Sequence, residues 1–191
     1  MSRLILASAS PQRKVLLEGL SLPCEVIPST VDEDRHPERD PIKRPVVLAR
    51  LKAEEVAKKN PDAFVIGCDT LVIASDATLL EKPNDEDDAR RMIRVQSGKT
   101  SLVHSALCII DPQGKHHEGI STSSVTFKKL SEGEIDWWIS LGLWKNRSGG
   151  FQIDGLGQLM IEHIDGDWTS IVGLPVFLLG KLLKNAQYIW Y

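Results

Sequence analysis

Six stretches of the 191-residue chain carry residue types whose spacing could do chemistry. The first is L-A-S-A-S-P-Q-R-K over residues 6–14. An apolar strand-like run leads into Ser8 and Ser10, and then into a helix start that carries Gln12, Arg13 and Lys14. Free backbone N–H groups at a helix start, together with the positive dipole end, form an anion site. Arg13 and Lys14 are unfavourable there in isolation, because they add to the same positive charge. Either both side chains bend out into water, or an arriving anion turns that cost into binding energy. The stretch is not a P-loop, because no GxxxxGK[ST] occurs.

The second is Asp69 within V-I-G-C-D-T-L-V-I. A carboxylate among apolar β-formers is expensive to bury unless it is paired, liganded or at a strand end that faces a cleft. The bland alternative is a strand-edge acid on a solvated face. Gly67 in the same run signals a bulge or a close backbone approach. The third is Glu81-Lys82-Pro83, where the proline holds Lys82 extended. The fourth is Lys52, which borders the apolar side of a helix and either reaches a cleft or snorkels into water. The fifth, Val31-Asp32-Glu33-Asp34, is either a solvated acidic loop or an oxygen-ligand set for Mg²⁺ or Mn²⁺. The sixth is G-G-F-Q-I-D-G-L-G over 149–157, whose glycines mark a sharp turn or a close approach around Phe151 and Asp154. His36, His104, His116, His117 and His163 show no metal-ligand or triad spacing.

The elements that must position these residues alternate between strand-like and helix-like, which predicts an α/β class. Strands are expected at 3–8, 24–28, 64–74, 102–110, 119–128 and 158–164. A helix opens at Ser10-Pro11 and a second runs from about Val46 to Lys59, ahead of Asn60-Pro61. The polar stretch 30–45, with three prolines, reads as a loop. Asn84 is expected to cap a helix that reaches Gln96 and stops at Gly98. Ser131 and Glu134 form an S-x-x-E capping box, and a C-terminal helix spans Pro175 to Leu183.

Composition bounds the function classes. With 42% hydrophobic and 26% charged residues the chain is ordinary globular material, expected as a single domain over 1–191. A net charge of -3 argues against nucleic acid or an anionic membrane as partner. No secretory signal or membrane span is evident, and Cys24, Cys68 and Cys108 fit neither a disulfide framework nor a CxxC zinc site. A reducing, cytoplasmic setting is the expectation.

Taken together, the pieces resemble the Maf family of nucleoside triphosphate pyrophosphatases. L-I-L-A-S-A-S-P-Q-R-K (4–14), V-D-E (31–33), L-A-R-L-K-A (48–53), I-G-C-D-T (66–70), E-K-P (81–83), S-G-K-T (97–100), G-G-F-Q-I-D-G-L-G (149–157) and V-G-L-P (172–175) occur in the family's order over nearly the whole chain. The resemblance implies an α/β fold of the Maf and ITPase type: a curved mixed sheet flanked by helices, two lobes with a central cleft, and a homodimer. It implies attack of water on the α-phosphorus of a nucleoside triphosphate, releasing a monophosphate and pyrophosphate with a divalent metal, Mg²⁺ or Mn²⁺, assisting. The implied role is house-cleaning of non-standard or excess nucleotides. The alternative is a catalytically weak nucleotide-binding regulator of cell division with the same fold.

The resemblance implies Asp69 as proton acceptor, Glu33 and Asp69 as metal ligands, and Ser8, Ser10, Arg13, Lys14, Lys52 and Lys82 as phosphate-binding groups. It also marks three specificity positions. Gln12 stands where the family's usual S-P-R-R has arginine and the 7-methyl-GTP type has tryptophan. Thr70 matches the dTTP/UTP type. Asp154 stands where the pyrimidine type has glutamine and the 7-methyl-GTP type glutamate. These markers leave the base open between dTTP/UTP and 7-methyl-GTP.

Overall fold

The structure, a computed structural model, describes residues 2–33 and 35–190. The strands are β1 (Leu4–Leu6), β2 (Glu25–Val26), β3 (Phe64–Ile73), β4 (Leu79–Leu80), β5 (Thr100–Ile110), β6 (His116–Phe127) and β7 (Ile161–Asp165). The helices are α1 (Pro11–Gly19), α2 (Lys43–Ala57), α3 (Glu86–Gln96), α4 (Glu132–Ser140), α5 (Trp168–Val172) and α6 (Val176–Asn185). The seven strands form one sheet in the order β2-β1-β3-β5-β6-β7, with β4 on β3. The sheet is mixed. β1 runs parallel to β2 and β3, with Leu6 paired to Val26 and to Ile66, whereas β3·β4 and β6·β7 are antiparallel. The expected α/β class with a mixed sheet is therefore observed. Among the described residues no helix is long and apolar enough to cross a membrane.

The chain divides into two compact units, one made of Met1–Asp69, Ser105–Ser121 and Gly173–Tyr191, the other of Thr70–His104 and Thr122–Val172. In the first, the sheet is buried on both faces, as parallel strands require. Ile5, Val65, Ala106 and Cys108 pack against Ala49, Ala53 and Val56 of α2. Their neighbours Leu4, Leu6, Ile66, Cys68 and Leu107 point the other way, onto Leu17 of α1 and Leu179, Leu182 and Leu183 of α6. The period of two along β3 thus sends Val65, Gly67 and Asp69 to the α2 side and Ile66 and Cys68 to the α1 and α6 side. In the second unit, Ala89, Met92 and Ile93 of α3 and Ile135, Trp138 and Ile139 of α4 join Val72, Val103, Val125 and Phe127.

Several boundaries differ from expectation. α2 begins at Lys43, not Val46, because Pro45 lies in the first turn, where its missing N–H has no intrahelical partner to lose. Asp40 serves that start by accepting from the backbone N–H of Ile42 and Lys43 at 3.0 and 2.9 Å. The cap of α3 is Asp85, not Asn84. Asp85 is extended and accepts from the Asp88 N–H at 2.8 Å, while Asn84 bonds to the Asp88 carboxylate. The run at 158–160 winds into a 3₁₀ turn, so β7 starts only at Ile161. The capping box at Ser131 and Glu134 is formed as the spacing predicts.

Candidate active site

Gly67 is where the site begins. A Cβ there would lie 2.0 Å from the Ala49 carbonyl oxygen and 2.8 Å from the Ala53 nitrogen, so α2 rides directly on the β3 backbone. Of the two readings of this glycine, the close approach is the observed one. One helical turn after Leu48, Lys52 points into the same interface as Asp69. Its Nζ donates to Asp69 Oδ1 at 2.7 Å and lies 3.0 Å from Glu33 Oε1. Lys52 and Asp69 are both buried, at 5% and 6% exposure. Lys52 therefore does not snorkel, and Asp69 is not a solvated edge acid. Two carboxylates face one ammonium, and such desolvated charges persist only where they compensate each other.

Glu33 sits on a polar loop, and α2 holds that loop at both ends. Arg44, 1% exposed, donates to the carbonyl oxygens of Glu33, His36 and Glu38 at 2.9, 3.1 and 2.9 Å. Glu55 accepts from the Ser29 and Thr30 hydroxyls and from the Thr30 N–H. Those donors favour the ionised carboxyl and hold its pKa down at about 2. Asp32 is exposed and faces Arg35. Asp34 lies outside the described residues.

The helix start of α1 is organised around Ser8 and Arg13. The Arg13 guanidinium donates to Ser8 Oγ at 2.8 Å, to the Cys68 carbonyl at 3.1 Å and to the Gly173 carbonyl at 2.8 Å. The Cys68 thiol donates to the same Gly173 oxygen at 2.9 Å, and burial pushes this thiol's pKa up. Ser10 sits at the N-cap. Its N–H donates to Ser8 Oγ and its hydroxyl to Gln12 Oε1. Lys14 is exposed, lies 3.6 Å from Glu18, and shares a shallow surface pocket with Leu17, Leu22 and Cys24. The first unit thus groups Ser8 with Ser10, Gln12 and Arg13, and Lys52 with Asp69 and Glu33. The residues Arg13 and Lys52 approach belong to one short stretch of β3, Cys68-Asp69.

The remaining candidates belong to the second unit. The Ser148 hydroxyl donates to the Thr70 carbonyl at 3.1 Å, and the Gly149 N–H to the Glu81 carbonyl at 3.1 Å. Gly149 and Gly150 both have φ near +70°, a left-handed turn open to glycine without strain. Gln96 and Trp138 fix that turn by donating to the Gly149 and Gly150 carbonyls at 2.7 and 2.9 Å. A Cβ on Gly150 would stand 3.3 Å from Pro83, so the glycine-rich loop and the E-K-P segment that carries exposed Lys82 are neighbours. Asp154 lies 3.5 Å from the Arg147 guanidinium.

The donor set in the first unit fits a divalent metal. Glu33 and Asp69 each place a carboxylate oxygen within 3.0 Å of one positive centre, the Lys52 ammonium. Two hard oxygen ligands that converge in this way suit Mg²⁺ or Mn²⁺, which take a few carboxylates and retain water.

Arg44, Cys68 and Gly173 contribute to the site although no residue pattern assigns any of them a role. Arg44 had one available signal, an arginine beside Pro45 at a helix start, where a cation is unfavourable unless its charge is used elsewhere. The Cys68–Gly173 contact spans 105 residues and has no local signature.

Comparison with known proteins finds a family and named relatives. The family described as "Maf-like protein" matches residues 3–186. A protein of Deinococcus radiodurans named dTTP/UTP pyrophosphatase is 42% identical over 96% of this chain and 93% of its own length. One of the same name from Pyrococcus furiosus is 39% identical over 96% and 95%. Among solved structures, a nucleoside-triphosphatase (dITP/XTP pyrophosphatase) of Mycobacterium abscessus overlaps 67% of this chain and 75% of its own, with a TM-score of 0.45 and 11% identity.

Proposed function

The chain belongs to the Maf-like protein family, and from that premise we propose that it hydrolyses nucleoside triphosphates to the monophosphate and pyrophosphate, with Asp69 as the proton acceptor. The observation that carries the reading is the buried Lys52 ammonium shared by Asp69 and Glu33. A carboxylate held this way, on a strand whose packing leaves no slack, has the fixed orientation a general base needs.

In the proposed reaction a water oxygen attacks the α-phosphorus. The bond from that phosphorus to the bridging oxygen breaks, pyrophosphate leaves, and the water's proton passes to the Asp69 carboxylate. Charge is the main obstacle, since a triphosphate carries about four negative charges and the transition state spreads more over the oxygens. Ser8 and Ser10 at the start of α1 supply hydroxyl and N–H donors at the helix's positive end. Arg13 and Lys52 bring cations, and Lys82 of the E-K-P segment is the further phosphate-binding cation that the family resemblance implies. A divalent ion held by Glu33 and Asp69 would supply further neutralisation of phosphate charge.

On the base, the names of the relatives and Thr70 both support a pyrimidine triphosphate. Gln12 and Asp154 depart from that type. Asp154, however, has Arg147 beside it, which reduces the negative charge it could offer a cationic methylated guanine. Pyrimidine is therefore the reading the geometry favours, and removal of surplus or non-standard nucleotides is the role it suits.

The test is pyrophosphate release by wild type and Asp69→Asn with UTP, dTTP and 7-methyl-GTP in Mg²⁺ or Mn²⁺. The expected loss is about 10²–10⁴-fold with an unchanged circular dichroism spectrum, in the range for removing a general base. Near-normal turnover by the variant overturns the role of Asp69. Saturable nucleotide binding by the wild type without any pyrophosphate release would favour the regulator instead.

A further inference from the structure

Away from the Asp69 group, α2 and the β5–β6 hairpin bring four ligating side chains together. Cys108 Sγ, a ring nitrogen of His116 and a carboxylate oxygen of Glu118 all lie within 4.8 Å of one another. Glu54 of α2 sets Oε1 3.9 Å from His116 Nδ1. The nucleotide reading uses none of the four. We propose that this cluster is a second metal site, selective for a thiophilic or borderline divalent cation such as Zn²⁺.

The donor chemistry is the first argument. Glu33 and Asp69 offer oxygen alone, which suits Mg²⁺. Here one sulfur, one imidazole nitrogen and carboxylate oxygens converge, the mixed set that Zn²⁺ takes in four-coordinate sites. Geometry is the second. Bond lengths of about 2.0–2.3 Å put tetrahedral ligands roughly 3.5 Å apart, so the observed spread closes with small rotations of the exposed His116 and half-buried Glu118.

The scaffold is rigid where rigidity is needed. β5 and β6 are sheet neighbours joined by a tight turn, which makes them an antiparallel pair. That turn is locked by the Asp111 carboxylate, which accepts from the Gln113 and Lys115 N–H groups and bonds the buried His117 ring at 2.8 Å. Cys108 is fully buried against Ala49 and Ala53 of α2.

Charge is the third argument. Arg50 clamps Glu118 through two bonds of 2.6 and 2.8 Å. One guanidinium faces the carboxylates of Glu118 and Glu54, so these side chains sum to one net negative charge even with the cysteine protonated. A divalent cation that displaces the thiol proton to solvent leaves three anionic ligands against Arg50 and the ion, which is neutral. Arg50 can keep one oxygen of Glu118 while the other turns to the metal. Occupancy would tie α2, the helix that carries Lys52 and Arg44, to the hairpin.

The site is tested by adding Co²⁺ alone to the full chain and recording the near-ultraviolet thiolate-to-cobalt charge-transfer band, then displacing it with Zn²⁺. The expectation is a band in wild type and in Cys68→Ser, none in Cys108→Ser, and Co²⁺ affinity reduced at least about tenfold in His116→Gln. His116 is exposed, so that variant keeps the test meaningful if Cys108→Ser folds poorly. Mg²⁺-supported turnover of His116→Gln should equal that of wild type. No band in wild type, a band that survives in Cys108→Ser, or undiminished affinity in His116→Gln overturns the proposal. These readouts do not depend on nucleotide hydrolysis, so the site and the nucleotide reading can fail separately.

Discussion

Gly67→Ala tests the link from packing to chemistry. The new methyl would stand 2.0 Å from the Ala49 carbonyl oxygen, well inside the 3.0 Å that real Cβ contacts respect. The obstacle is helix backbone, so no rotamer change relieves it. Ala49 and Ala53 are fully buried, so α2 must lift off β3 by about 1 Å. Overpacking costs about 1–3 kcal/mol where side chains can yield. Where a backbone must move, the upper end applies. A loss of about 3 kcal/mol in a chain of this size lowers the melting temperature by about 6–12 °C. The same displacement carries Lys52 away from Asp69, now 2.7 Å apart, and a 1 Å misplacement can cost about 10²-fold in turnover. Thermal melts and pyrophosphate release on one preparation measure both effects. Gly133→Ala is the control. It lies inside α4 with nothing within 4 Å of the new methyl, so it should be neutral or stabilising by about 0.5–1 kcal/mol. A Gly67→Ala protein that melts within about 2 °C of wild type and keeps its activity would refute the reasoning.

Arg13→Lys should lower stability by about 1–3 kcal/mol in urea unfolding, because an ammonium cannot satisfy Ser8, Cys68 and Gly173 in the geometry of the guanidinium fork. An unchanged midpoint would show that those acceptors find other partners. Arg44→Met releases the carbonyls of 33, 36 and 38 and so loosens Glu33. A Mg²⁺ titration of turnover should then show a half-saturating concentration raised about tenfold. Glu55 has its pKa lowered to about 2 in the folded state. The stability it contributes is therefore present above its unfolded pKa of about 4.3 and is lost as pH falls from there toward 2. Glu55→Gln should flatten that part of the stability–pH curve, read by urea unfolding at stepped pH, and an equally steep acid limb would exclude Glu55 as its source.

Local rules were enough for much of this molecule. The apolar run at 64–74 could only be a buried strand, Ser10-Pro11 marked the start of α1, and Ser131 with Glu134 spelled out the cap of α4, because each depends on residues within one turn or one strand. Asp69 stood out for the same reason, as a charge among β-formers. Lys52 was a candidate too, but a lone lysine beside an apolar helix face more often snorkels, and the α2–β3 contact at Gly67 is what turns it inward onto Asp69. Pro45 looked like loop because a proline is punctuation in a sequence, whereas in the first turn of a helix it forfeits nothing. Arg44, the Cys68–Gly173 contact and the Glu54–Cys108–His116–Glu118 cluster join segments far apart in the chain. Their positions follow from which strands pair and which helix face covers them, and no window of neighbouring residues encodes that.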